Sequence, residues 1–289
     1  MLDKAIGQAV TSFAEKTSEI SDEKLELEWA WGAYDSDGVR LAFFRNYEDL
    51  RELSTAIISQ RRDLGVELTT AQSVLGNYHA AYRDVQANLL GVDDELAEQA
   101  PAPGEWPLRQ VLAHIVQAEI GFYVTVKYPL ISFRRSGERT PEIPDNARQQ
   151  LSGMSAASFD ALLEGPMSAL QLYYDSLHAR ILEDFAGISD EELALPTMYW
   201  EGYPLPLQFR LHRFDSHCRQ HIVQIEKTLV GLGRPPNEAR RLLRLVYGAL
   251  ATVESANIGT WEVAHEKIQS TADSIATRTE EITAILDHN

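Results

Sequence analysis

Between Leu207 and Leu232 the chain reads LQFRLHRFDSHCRQHIVQIEKTLVGL. Leu207, Leu211, Phe214, Cys218, His221, Ile225, Thr228 and Leu232 recur there at alternating steps of four and three, the seam of a helix packed in a bundle. His217 and His221 are one turn apart, so their rings leave the same face. A seam that places imidazoles in a core must supply them with partners, because a buried polar ring without one is costly. A metal ion is the most economical partner for both, and its remaining ligand then has to come from a neighbouring helix.

Helical periodicity continues through the rest of the chain, and alternating strand patterns are scarce. It predicts a first helix over 2–17, then an aromatic, turn-rich segment with Trp29, Trp31, Asp35, Asp37 and Gly38. A second helix runs over 39–61 to a break at Gly65. Thr70 reads as the N-cap of a helix over 71–90. After the loop APAPGEW, Trp106-Pro107 marks the next helix start, since proline is tolerated where no helical N–H partner exists. Its stripe is Leu108, Leu112, Ile115, Glu119 and Phe122, with His114 beside it. A long connection, 133–157, allows the following helix, 159–185, to cross the bundle. The loop 195–206 carries Tyr199, Trp200 and Tyr203 and leads into the histidine-bearing helix. Gly231, Gly233, Pro235 and Pro236 then stop the pattern, and two helices follow over 238–256 and from Trp261 to Leu286. The reading is an all-α protein with a core unit over 70–233, an N-terminal helical extension over 1–69 and a C-terminal one over 234–289. The apolar stripes of the extensions have to be covered, so they are expected to pack on the core unit.

A net charge of −17 over 289 residues repels phosphate backbones and anionic bilayers, which argues against nucleic acid and membrane partners. The single cysteine, Cys218, excludes an internal disulfide and suits a reducing compartment. The N-terminal segment reads as an amphipathic helix and no window has the length of a membrane span, so a cytoplasmic location is the expectation.

His114, His217 and His221 are the candidate metal ligands. Zinc, nickel and related divalent ions accept neutral imidazole nitrogen, and three protein ligands leave a position open for water or substrate. Facing helices of a bundle build metal sites in this way. Spacing alone leaves a second reading, in which these are satisfied core histidines. Gln224, one turn beyond His221, either orients a ligand or makes a surface hydrogen bond. Cys218 reads either as a soft ligand or nucleophile or as a small core residue. Glu119 reads as a general base or, preferably, as an ion-pair partner of Arg213 or Arg219. Tyr199, Trp200 and Tyr203 either roof a pocket or pack the loop. Arg134, Arg135 and Arg139 either bind a carboxylate or lie on a solvated loop. His79, His178, His212, His265 and His288 are read as structural or surface groups.

Two stretches carry a resemblance. Trp106-Pro-Leu-Arg-Gln-Val-Leu-Ala-His114-Ile-Val-Gln-Ala-Glu119 resembles the second helix of the DinB-like superfamily, with a tryptophan at the helix start and a histidine eight residues on. LHRFDSHCRQHIVQIEKTL resembles its fourth helix, whose HxxxHxxQ motif here is His217, His221 and Gln224. The family is similar to the YfiT-like metal-dependent hydrolases. The resemblance covers about 70–233 and implies an up-down-down-up four-helix bundle with one divalent metal, zinc or nickel, on His114, His217 and His221. It implies a thiol-dependent S-transferase or a hydrolase acting on a small molecule, with a low-molecular-weight thiol as cosubstrate in the first case and a homodimer as the default assembly. The competing expectation is a non-catalytic bundle that binds a small apolar ligand or a partner helix, with structural metal or none.

Overall fold

The computed structural model describes residues 4–33, 38–260 and 263–288. Asp35, Asp37 and Trp261, which the sequence assigns to the turn-rich segment and the head of the last helix, lie outside these residues. In chain order the helices are α1 (Lys4–Thr17), α2 (Gly38–Asp63), α3 (Thr70–Asn88), α4 (Asp94–Glu98), α5 (Leu108–Ser136), α6 (Asp145–Ser152), α7 (Ala156–Glu164), α8 (Met167–Phe185), α9 (Asp190–Leu193), α10 (Leu207–Gly231), α11 (Glu238–Ala256) and α12 (His265–His288). Two short strands, β1 (Pro196–Thr197) and β2 (Leu205–Pro206), pair antiparallel with Pro196 opposite Pro206 and Thr197 opposite Leu205. The protein is all-α, and no described helix is long and apolar enough to cross a membrane.

The chain divides into two compact units. One holds residues 1–68, 83–91 and 234–289, so the segments read as separate N- and C-terminal extensions share a single core. In it α1 packs on α12 and α2 on α11, burying Phe13, Phe43, Leu50, Ile57, Val246, Leu250, Ile275 and Ile282. Each helix has an apolar stripe too narrow to be stable alone, and the stripes cover one another. A buried cation serves this core. Arg61, 2 % exposed, donates to the carbonyls of Ala256 and Ile258 at 3.1 and 2.9 Å, to Thr260 Oγ1 and to the carbonyl of Val66. The first two carbonyls lie at and just beyond the C-terminal end of α11, where a positive charge is favoured.

The second unit, 69–82 and 92–233, contains the bundle formed by the first part of α3 with α5, α8 and α10. Its inward faces carry Val74, Tyr78, Leu112, Ile115, Phe122, Leu170, Tyr174, Ile181, Leu211, Phe214 and Ile225. Helix α3 is capped one residue before the predicted position. Thr69 Oγ1 accepts from the Gln72 N–H while Gln72 Oε1 accepts from the Thr69 N–H, a reciprocal capping box. Helix α5 starts after Pro107, as Trp106-Pro107 indicated, and ends at Gly137, whose left-handed φ of 74° lets its N–H reach the Phe133 carbonyl. The predicted helix over 159–185 is broken in two. Pro166 has no N–H and disfavours helical backbone at Gly165, so α7 stops at Glu164 and α8 restarts at Met167. The exposed groups of that break are held by Arg109, which donates to the Gly165 carbonyl, and by Asp94, which accepts from the Met167 N–H.

Arg61→Ala should destabilise the first unit by about 3 kcal/mol, because the carbonyls that the guanidinium serves lose a buried charged donor. Urea unfolding measures it; a loss below about 0.5 kcal/mol, the range of ordinary surface substitutions, would show that water replaces the side chain at little cost.

Candidate metal centre

His217 and His221 project from one face of α10 because four residues make one turn, and His114 faces them from α5. The three Nε2 atoms converge. His217 Nε2 lies 3.3 Å from His114 Nε2 and 3.2 Å from His221 Nε2. His217 and His221 are buried and His114 is half-buried. Among the described residues this is the one group of three or more histidine, cysteine or acidic side chains with ligand atoms close enough to share an ion.

The spacing itself tests the fit. Imidazole nitrogens at about 2.0–2.1 Å from a tetrahedral ion sit about 3.3–3.4 Å apart along the tetrahedron's edge. The observed separations have that size. Protonation is compatible too. His221 Nδ1 lies 2.8 Å from Gln224 Oε1, which accepts its proton and leaves the lone pair on Nε2 facing the cluster. Burial lowers the His217 pKa to about 3, with the neighbouring His221, His114 and Arg213 adding repulsion. Burial and His221 also lower that of His114. Neutral imidazole is the form that ligates. The buried His217 Nδ1 has no hydrogen-bond partner among the described residues.

Aromatic rings surround the cluster. Trp106 stands edge-on to His114 at 5.3 Å between ring centres, and Phe122 to His217 at 5.6 Å. Above Phe122 lies the loop that the β1–β2 pair closes. Tyr199 and Trp200 contact each other at 4.8 Å and Phe122 at 5.8 and 6.0 Å, whereas Tyr203 is exposed. Gly121 makes room for this roof, since a Cβ there would overlap Tyr199 Oη. A buried ion pair anchors the loop. Arg210, fully buried, grips Glu201 with two bonds of 2.9 Å, and Glu201 also accepts from the Tyr199 N–H. Glu201 is thereby committed to the loop and does not close the histidine cluster as a fourth ligand.

One of the sequence expectations is corrected here. Glu119 makes no ion pair with Arg213 or Arg219; Arg219 pairs with Asp215 on its own helix. The carboxyl of Glu119 is fully buried, accepting from Tyr78 Oη at 2.5 Å and Tyr174 Oη at 3.2 Å. Burial outweighs both hydroxyls and pushes its pKa up to about 8. Cys218 lies outside the cluster. Its Sγ is 3.6 Å from Tyr174 Oη, and burial raises the thiol pKa, so it remains protonated. Arg134 pairs with Glu192 and Arg139 with Glu191, while Arg135 is exposed.

Residues 77–225 match the DinB superfamily, just over half of the chain. The chain belongs to the DinB superfamily. No curated protein and no solved structure matches it.

Within this DinB unit the sequence reading missed a second histidine pair. His79 Nδ1 and His178 Nε2 are 2.8 Å apart, both rings are buried, and Tyr82 stacks on His178 at 3.7 Å. The available signal was positional: His178 lies one turn beyond Tyr174 on the inward stripe of α8. Arg210 was missed for another reason, since a fully buried arginine is foreseen only when its carboxylate is placed beside it.

Glu119→Gln should flatten the alkaline side of the stability profile. The carboxyl is protonated in the folded protein up to about 8 but ionises near 4.5 when unfolded, so folding loses stability as pH rises through that window. The variant's stability relative to the parent should therefore grow between pH 5 and pH 8, on the order of 4 kcal/mol. Denaturant titrations at both pH values test this; an equal difference at the two would mean that Glu119 is already ionised.

Proposed function

We propose that this chain is a divalent-metal-dependent enzyme that acts on a small molecule, as a thiol-dependent S-transferase or a hydrolase. The observation that carries the reading is the convergence of three histidines, with the Nε2 atoms of His114 and His221 at 3.3 and 3.2 Å from that of His217, the separation that one tetrahedral ion imposes. His114, His217 and His221 would hold the ion, zinc or nickel, and Gln224 would fix His221 in the ligating tautomer. Bound there, a divalent ion lowers the pKa of water or of a thiol and stabilises charge developing on the substrate.

The chain's own residues define the rest. Cys218 is buried and protonated, so it does not serve as the nucleophile, which must enter from solution as water or a free thiol. Glu119 is held by two tyrosines and stays protonated near neutral pH, so it is not the general base. Trp106 and Phe122 make the walls of the site apolar, and Tyr199 with Trp200 covers one side and excludes water from it. Three neutral ligands also differ from a carboxylate-containing set. They leave the cation's charge uncompensated by protein, which favours an anionic nucleophile.

Purified full-length chain should contain about one zinc or nickel ion, and His221→Ala should lower the content at least tenfold while the helical circular dichroism is retained. Equal metal content in parent and variant would place the ion elsewhere and remove the basis of the reading. Hydrolase and transferase separate on the thiol: product formation from an electrophilic substrate that requires an added low-molecular-weight thiol marks the transferase, and turnover in its absence the hydrolase.

A further inference from the structure

We propose that Arg213 is the anion-recognising residue of a substrate subsite beside the histidine cluster, and that its ligand is a small carboxylate with a planar apolar body. The inference deepens the enzyme reading and rests on it for the position of the reacting end of the ligand.

Three arginines follow one another on α10, and they differ in what they hold. Arg210 is fully buried on Glu201, and Arg219 pairs with Asp215. Arg213 has no carboxylate partner among the described residues. Its side chain is half-buried, its Nε is buried without a hydrogen-bond partner, and its Nη1 reaches only Ser216 Oγ, at 3.3 Å. In a chain with 43 acidic residues a missing partner is not a shortage of carboxylates. The Nε atoms of Arg45, Arg180 and Arg210 are unpaired as well, so what sets Arg213 apart on this helix is a half-buried guanidinium beside the histidine cluster with no carboxylate on it among the described residues.

The position of Arg213 points to a ligand. It is one turn before His217 on the same face of α10, and its charge is one of the causes that keep His217 neutral. Its guanidinium carbon lies 6.0 Å from the Phe122 ring centre and 5.7 Å from that of Trp200. Phe122 in turn contacts His217. The exposed Arg148 guanidinium also acts electrostatically on Tyr199. Cationic and aromatic groups thus meet at the cluster in a chain whose net charge is −17.

The ligand class follows from the chemistry of these groups. A guanidinium fork matches a carboxylate with two parallel N–H···O bonds. Trp200, 60 % exposed and packed on the buried Phe122, offers flat apolar surface to whatever the carboxylate is attached to. A doubly charged phosphate ester would meet stronger repulsion from the acidic chain, and one half-buried fork does not neutralise it.

Tryptophan fluorescence titrations of the full-length chain, zinc-loaded and metal-free, with benzoate, benzamide and phenyl phosphate test the proposal. Benzoate should bind at least about tenfold more tightly than benzamide, the scale of one charge-assisted hydrogen-bonded contact. Arg213→Gln should abolish that preference without changing zinc content or benzamide affinity, and Arg213→Lys, which keeps the charge but loses the fork, should fall between. Equal affinities for benzoate and benzamide, or a benzoate affinity unchanged in Arg213→Gln, would overturn the proposal. Tighter binding of phenyl phosphate than of benzoate would overturn the carboxylate assignment. A benzoate preference that depends on Arg213 in a chain that binds no zinc would leave the subsite standing and remove the metal reading instead.

Discussion

Imidazoles can be pressed together inside a helical bundle only while none of them carries a proton too many. Three ring nitrogens within 4.8 Å of one another, two of them 3.2 and 3.3 Å from His217 Nε2, would repel strongly as imidazolium, and the apolar walls around them raise that cost. Burial therefore favours the neutral form of His217 and of His114 before any ligand is considered. The pKa of His217 is driven down to about 3, and Gln224 Oε1 accepts a hydrogen bond from the Nδ1–H of His221, so that its Nε2 lone pair points inward. Neutral, inward-facing nitrogens are what a divalent cation requires, so the constraint that lets the helices pack is the same one that makes the cluster a ligand set.

Around that cluster the bundle contains polar groups that are internally satisfied. Glu119 is shared by Tyr78 and Tyr174, Tyr174 approaches Cys218, and His79 meets His178. These contacts join residues of α3, α5, α8 and α10, which gives the bundle directional links that apolar packing alone lacks. Arg210 and Glu201 act similarly on the aromatic loop. The fixed groups and the incomplete ones are thus distinguishable: Glu119, Cys218 and Glu201 are spoken for, whereas the histidine cluster and Arg213 have unmet capacity.

The helical nature of the chain, the start of α5 at Trp106-Pro107 and the histidines of α10 were legible because each depends on local sequence. Periodicity reports which face is apolar, and an i, i+4 pair reports a shared face. That His114 meets the α10 pair could not follow from spacing, since it depends on how two helices remote in the chain are placed; the family resemblance supplied it. The Glu119 partners were misread because tyrosines on an apolar stripe look like packing until their hydroxyls are located. The common core of the two terminal segments was likewise illegible, because amphipathic stripes state that they must be covered and not by what. The break at Gly165-Pro166 was legible in principle, and the apolar pattern that continues across it obscured it.

The claim on which the functional account turns is that three imidazoles together hold one ion, and X-ray absorption at the zinc edge of the zinc-loaded chain addresses it most directly. The account predicts a first shell with three nitrogens at about 2.0–2.1 Å, accompanied by the outer scattering of imidazole rings. A shell containing sulfur at about 2.3 Å, or one of oxygens without imidazole scattering, would contradict it.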